Sequence, residues 1–220
     1  MKQGENRPYH HGDLRRALLD AAFQLVAERG IPDFTLREVA RQAGVSHNAP
    51  YNHFADKAEL VVALTVEGFQ TLELAMRSTY LQTPGTPVER TLAISGAYLH
   101  FALENPAVYS LMFRPELRHS SHNGRECDEA VESAAKTTFQ VLLDGIAASQ
   151  QAGELRAEPS VSMLALTLWS TMHGLTMLLL DNLPVEKLVE KKDVSSLEMT
   201  EQLMTQVMHV VAQGLVVPCF

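Results

Sequence analysis

FTLREVARQAGVSHNAPYNHFADKAELVVAL, residues 34–64, is the stretch from which the rest of the chain is read. Thr35-Leu36-Arg37-Glu38 is a capping box, in which a hydroxyl and a carboxylate satisfy the free N–H groups that open a helix. Leu36, Val39, Ala40 and Ala43 make its apolar stripe, and Gly44 stops it. Ser46 can cap a third, short helix carrying His47, Asn48, Ala49, Pro50, Tyr51, Asn52 and His53. Ala40 is small where two helices must cross closely, and Gly44 sits four residues later where the chain must turn sharply. This is helix-turn-helix grammar. Many short helix pairs never touch DNA, so the spacing alone leaves open both a DNA reader and an ordinary packed pair. Phe54 packs inward, and Asp56-Lys57-Ala58-Glu59 opens a long fourth helix.

Upstream, Leu14, Leu18, Ala21, Ala22, Leu25 and Val26 fall on one helical face, with Asp13 placed to cap it and Gly30 to end it. Downstream, Thr83-Pro84-Gly85-Thr86-Pro87 is a break. Thr86 and Glu89 then form a second capping box, with proline at the first helical position. A helix should run from there to about Glu104, and a short one from Asn105-Pro106 through Phe113. Arg114–Gly124 reads as a polar loop. Further helices are expected to about Gln151, over Ser160–Asp181 and over Leu197–Gln213. No convincing period-2 strand is visible. The expectation is an all-α chain of about nine helices.

At 220 residues, 46% hydrophobic and 20% charged, this is an ordinary folded composition. Its two cysteines, Cys127 and Cys219, form no C-x-x-C and suit a reducing cytoplasm. No signal peptide is read in the polar opening MKQGENRPYHHGDLRR. A net charge of −8 argues against nucleic acid until it is divided. Residues 1–57 hold eight Lys/Arg against seven Asp/Glu; the remainder holds ten against nineteen, or −9. Only the first part suits a polyanion.

The run through Thr-Leu-x-x-Val-Ala, Ala-Gly-Val-Ser and Tyr-x-His-Phe-x-x-Lys-x-x-Leu resembles the DNA-binding domain of the tetracycline-repressor (TetR) family of bacterial transcription regulators. The likeness covers about Asp13–Leu64, while NPAVYSLMF and Trp169-x-x-x-His173-Gly174 resemble the family bodies called the WHG type. The resemblance implies a three-helix DNA-binding head over 1–57. A long helix would join it to a dimerising, effector-binding helical body over 58–220. It implies that Thr35, Tyr51, His53 and Lys57 contact the phosphate backbone, and that Ser46, His47, Asn48, Ala49 and Asn52 face the major groove. Asn can pair bidentately with adenine, His can donate to a purine N7, and an Ala methyl can meet thymine. Pro50 departs from the aliphatic residue of the family pattern, at a first turn where a missing N–H is tolerated. Tyr51 and Phe54 also admit a plain core reading, accepted for Phe54. Arg7, His10, His11, Arg15 and Arg16 are either a phosphate-steering arm or simply solvated.

In the body, Pro159–Leu180 lacks Asp, Glu, Lys and Arg and is long enough to span a bilayer. Its many Ser and Thr, and the absence of flanking Lys/Arg clusters, favour a helix buried on several faces, against its own bundle and a partner subunit. With Leu203, Val207, Val210 and Val211 striping the last helix, a homodimer interface is expected on the final two helices. Tyr98, Phe101, Phe113, Phe139, Trp169 and His173 are candidate walls of a pocket for an apolar or aromatic effector, with His173 as its polar partner. Core packing is the competing reading for Trp169 and His173. His119-x-x-His122 with Glu116, Cys127 and Asp128 shows no ligand pattern, so no metal or cofactor is called for. The expected function is a ligand-responsive regulator of transcription, a repressor by resemblance, that binds a palindromic operator in double-stranded DNA as a homodimer. The alternative is an all-α enzyme with its active site in the body. G-x-S-x-G, H-E-x-x-H, G-x-G-x-x-G and Walker patterns are all absent, which favours the non-enzyme.

Overall fold

The computed structural model describes residues 11–30, 33–117, 124–181 and 197–214. Among these are eight α-helices, two 3₁₀ turns and no β-strand. The helices are α1 (His11–Arg29), α2 (Leu36–Gln42), α3 (Lys57–Gln82), α4 (Pro87–Glu104), α5 (Pro106–Phe113), α6 (Gly124–Gln151), α7 (Val161–Leu180) and α8 (Leu197–Gln213). The 3₁₀ turns are Ala49–Asn52 and Pro115–Leu117.

Capping chemistry places most boundaries where the sequence puts them. Thr35 and Thr86 both form reciprocal boxes with the glutamate three residues on. Asp56 accepts from the Glu59 N–H at 2.9 Å to open α3. Gly44, at φ +69°, turns the chain out of α2 in the left-handed region where a Cβ would be strained. α1 differs: it begins at His11, so Asp13 lies inside its first turn rather than capping it.

Two apolar clusters result. In the head, Leu18, Ala22, Leu25 and Val26 of α1 pack on Phe34, Val39, Phe54 and the start of α3 at Leu60 and Leu64. In the body, Leu72 and Met76 of α3 pack with Ile94, Leu99, Leu142, Ile146, Leu164, Leu168, Met204 and Met208. α3 therefore belongs to both. So does α5: Ala107 and Leu111 are buried in the head cluster, while Val108, Tyr109 and Met112 are buried in the body cluster. Gly68 of α3 lets the two helices approach closely. A Cβ there would lie 2.8 Å from Val108 Cγ1 and 2.9 Å from Met112 Sδ.

α7 is long and apolar enough to cross a membrane by length and composition, with a mean hydropathy of 1.5. One face, Leu164, Ala165, Leu168, Met172 and Thr176, is buried in the protomer. The opposite face exposes Met163, Leu166, Ser170, Gly174 and Leu178. On α8, Val210 is exposed and Val207 and Val211 half-buried, but Leu203 is buried in the protomer and cannot belong to an outward stripe.

Candidate functional site

The helix-turn-helix departs from expectation at its second helix. An α-helix capped by Ser46 would close its first turn with the N–H of residue 50, which proline lacks. The Ala49 N–H takes the Ser46 carbonyl instead, at 3.0 Å, and the next turn closes through His53 N–H and Phe54 N–H on Pro50 O, both at 2.9 Å. The third helix is thus a single 3₁₀ turn, Ala49–Asn52, and the Ser46 side chain is not its cap. Ala49 and Pro50 are buried, so the Ala49 methyl points into the protein rather than toward a groove. Ser46, His47, Asn48, Tyr51 and Asn52 remain exposed, and His53 is half-buried. Phe54 is core at 2% exposure; Tyr51, at 53%, is not.

Thr35, Tyr51 and Lys57 line one open cleft with Arg29, Phe34, Glu38 and Asp56, between the N-termini of α2 and α3. Lys57 Nζ sits 5.3 Å from the centre of the Phe34 ring, which holds the ammonium at the cleft. Arg15 stacks on Phe54 at 5.5 Å. Arg16 pairs with Asp20 at 2.7 Å and with Glu67 of α3, so it ties α1 to the long helix rather than forming part of a free arm. Arg7 and His10, like His119, His122 and Cys219, lie outside the described residues. Arg37 and Arg41, exposed at i and i+4 on α2, add a cationic edge that the sequence reading passed over; their spacing was the available signal.

Glu38 is the electrostatic hinge of this face. Its carboxylate accepts from Arg29 Nη2 at 2.9 Å and from the Thr35 backbone N–H at 2.8 Å. The hydrogen bond from Arg29, then those from Thr35, hold its pKa down at about 2. Because the folded value is depressed, the stabilisation is present above the ordinary carboxylate range near 4.3 and is lost as pH falls toward 2. Replacing Glu38 with Gln should flatten the acid limb of a stability-versus-pH curve between about pH 5 and 2. An unchanged limb would remove Glu38 from that role.

In the body, Phe69, Leu72, Met76, Met112, Val131, Leu142 and Leu166 line a partly open cavity of about 540 Å³ with Tyr98, Phe113, Phe139 and Trp169. Four of the six expected wall residues are therefore brought together. Phe101 is not among them: it is buried and faces a different, open groove beside Thr71, Ala75 and Ala97. His173 is not a wall residue either. It stands behind Tyr98, with Nδ1 3.0 Å from the Tyr98 hydroxyl and 2.6 Å from the Tyr109 hydroxyl, while the two hydroxyls are 2.8 Å apart. Its ring lies 4.4 Å from Phe113 and 5.7 Å from Trp169, centre to centre. Burial lowers its pKa, which favours the neutral imidazole, and pushes the Tyr98 phenol up to about 12. Tyr109, which lies in the NPAVYSLMF segment but is not among the expected wall residues, is fully buried and joins α5 to this cluster.

Residues 18–64 match the family model of bacterial regulatory proteins, tetR family, and residues 91–203, just over half the chain, match that of the tetracyclin repressor-like C-terminal domain. The chain belongs to the TetR family. It is therefore a ligand-responsive, DNA-binding regulator of transcription, in a family whose members are generally not enzymes. Among solved TetR-like folds, a protein with unknown function from Rhodococcus sp. RHA1 is similar at 28% identity and a TM-score of 0.77, covering 96% of this chain and 100% of that one. The regulator FadR from Bacillus subtilis, solved in complex with stearoyl-CoA, is 16% identical with a TM-score of 0.67, over 90% of this chain and 98% of that one. PfmR from Thermus thermophilus, a TetR family transcriptional regulator, is 16% identical with a TM-score of 0.61, over 89% and 97%. The last two share the fold alone.

Proposed function

We propose that this TetR family member is a homodimeric, cytoplasmic repressor without catalytic activity. It would bind a palindromic operator through its head, residues 1–57, and leave the DNA when an apolar effector fills the cavity of its body, residues 58–220. The observation that carries this reading is α5. Its Leu111 is buried in the head core, while Met112 and Phe113, its next two residues, line the cavity. A ligand that moves the wall moves the contact on α1, and a ligand shifts an equilibrium only by binding one state better.

On the DNA side, His47, Asn48 and Asn52 are the exposed side chains of the turn able to reach base edges. Tyr51, Thr35 and Lys57 share the cleft between two helix N-termini, whose positive dipole ends favour a phosphate. Ser46 and His53 flank this set, with Arg37 and Arg41 as further backbone contacts. One such head reaches one major groove; two-fold symmetry supplies the second. Lys57→Ala should weaken binding to all sequences alike and lower the slope of log affinity against log salt by about one. His47→Ala or Asn48→Ala should instead relax base choice, at roughly 1–3 kcal/mol each. Selection from a random DNA pool followed by salt titration measures both. Fragments without two-fold symmetry, or a Lys57 variant with an unchanged salt slope, would count against the model.

The cavity suits an uncharged apolar body. FadR of Bacillus subtilis takes stearoyl-CoA, but a bulky anionic head would find, among the described residues, a single lysine at this cavity, Lys136, already 2.8 Å from Glu132.

A further inference from the structure

We propose that the effector of this cavity is an apolar molecule that donates a hydrogen bond, from a neutral hydroxyl or N–H group, to the Tyr98 hydroxyl oxygen. The proposal rests on the cavity being the effector site.

Polar groups facing the cavity are few and mostly committed. Thr138 gives its hydroxyl hydrogen to the carbonyls of Phe69 and Ala134, at 3.0 and 2.9 Å. Glu132 and Lys136 are paired with each other on exposed positions of α6. The Trp169 indole N–H is directed at the Tyr98 hydroxyl, which leaves Tyr98, whose hydrogen can be accounted for. The cluster contains two hydroxyl hydrogens and one imidazole nitrogen with a single lone pair. Its shortest contact, Tyr109 Oη to His173 Nδ1 at 2.6 Å, takes the Tyr109 hydrogen. The Tyr98 hydrogen then goes to the Tyr109 oxygen at 2.8 Å. A proton on Nδ1 instead would leave one of the two tyrosyl hydrogens without an acceptor among these three groups. With Nδ1 accepting, the chain runs Tyr98 to Tyr109 to His173 and each bond polarises the next.

The Tyr98 oxygen is the head of that chain. It has no hydrogen left to give and two lone pairs to fill, one of them approached by the Trp169 side chain. A ligand donor completes it. A ligand that only accepts finds no hydrogen there.

The test is calorimetric titration of the full-length protein with 4-hydroxybiphenyl, 4-methoxybiphenyl and biphenyl. The hydroxyl compound should bind roughly three- to tenfold more tightly than the ether, and the ether no better than biphenyl. Tyr98→Phe should erase the preference while the three compounds still bind. Tyr109→Phe should keep it, because the Tyr98 hydrogen can then pass to Nδ1 at 3.0 Å. Equal affinity for all three in the unsubstituted protein, or a preference that survives Tyr98→Phe, overturns the donor assignment and leaves the cavity as effector site standing. Failure of all three to bind, or binding that persists when Ala135→Trp fills the cavity, overturns the cavity reading itself.

Discussion

A double substitution, Leu178→Glu with Val210→Glu, should turn the protein into a folded monomer whose affinity for its operator falls by about two to four orders of magnitude. Both side chains are exposed, at 41% and 70%, so charging them removes little from the protomer. They lie on α7 and α8, whose outward surface also carries Met163 and Leu166 at 54% and 45% exposure. Gly174 adds a geometric argument. A Cβ placed there would meet nothing within 4 Å, so no packing inside the protomer requires a residue that small. With Ser170, which is also exposed, it leaves room on this face for a second helix, and in the proposed homodimer the partner's copies of α7 and α8 would complete a four-helix bundle there. Two linked heads bind one palindrome with a high effective concentration; a monomer loses that gain. Sedimentation analysis and circular dichroism check the state, and operator titration the affinity. Gly174→Trp, which blocks this face by bulk without charge, should act in the same direction. Variants that sediment as intact dimers would move the interface to another face.

Leu111→Ala should destabilise the chain by about 2–5 kcal/mol and also loosen the coupling between cavity and head. Leu111 is 1% exposed and packs in the head cluster, yet it belongs to the helix whose other side holds Val108, Tyr109 and Met112 in the body. Truncation leaves a void between α5 and α1 that neither helix can readily close. α5 is held against α3 at Gly68 and tied to α7 through Tyr109 and His173. The midpoint of thermal unfolding should fall by roughly 4–20 °C. An effector should still bind the variant but release DNA less completely than from the unsubstituted protein. Leu74→Ala, at a position on α3 that is 64% exposed, should change stability by no more than about 0.5 kcal/mol. Full effector response in a destabilised Leu111→Ala protein would take the relay away from α5.

The elements that local chemistry dictates were legible in the sequence. Thr35 with Glu38, Asp56, and Thr86 with Pro87 and Glu89 fix helix starts because a cap is satisfied within four residues. Leu18, Ala22, Leu25 and Val26 reveal a buried face because helical period alone brings them together. The helix-turn-helix, and with it the family, followed from the same short range. Pro50 was read correctly as an anomaly, but its outcome depended on a competition the sequence does not display. With the residue-50 N–H missing, the Ser46 carbonyl is taken one residue early, and the turn tightens to 3₁₀ with Ala49 turned inward.

The effector site lay beyond that reach. Tyr98, Phe113, Phe139 and Trp169 come from four helices, and only their crossing decides which aromatic faces a cavity and which, like Phe101, is buried beside another groove. Tyr109 is marked in the sequence only as part of NPAVYSLMF, and its role there is not legible because its partners, the Tyr98 hydroxyl and His173, are 11 and 64 positions away. Leu203 was misplaced for the same reason. One helix stripe looks identical in sequence whether it meets its own bundle or a second subunit, and the packing of α8 against α4 and α7 makes that division. Local hydrogen bonding and periodicity are properties of a short segment, so the sequence determines them directly. A cavity, a relay and an outward face are properties of the space between segments, and only the tertiary structure decides those.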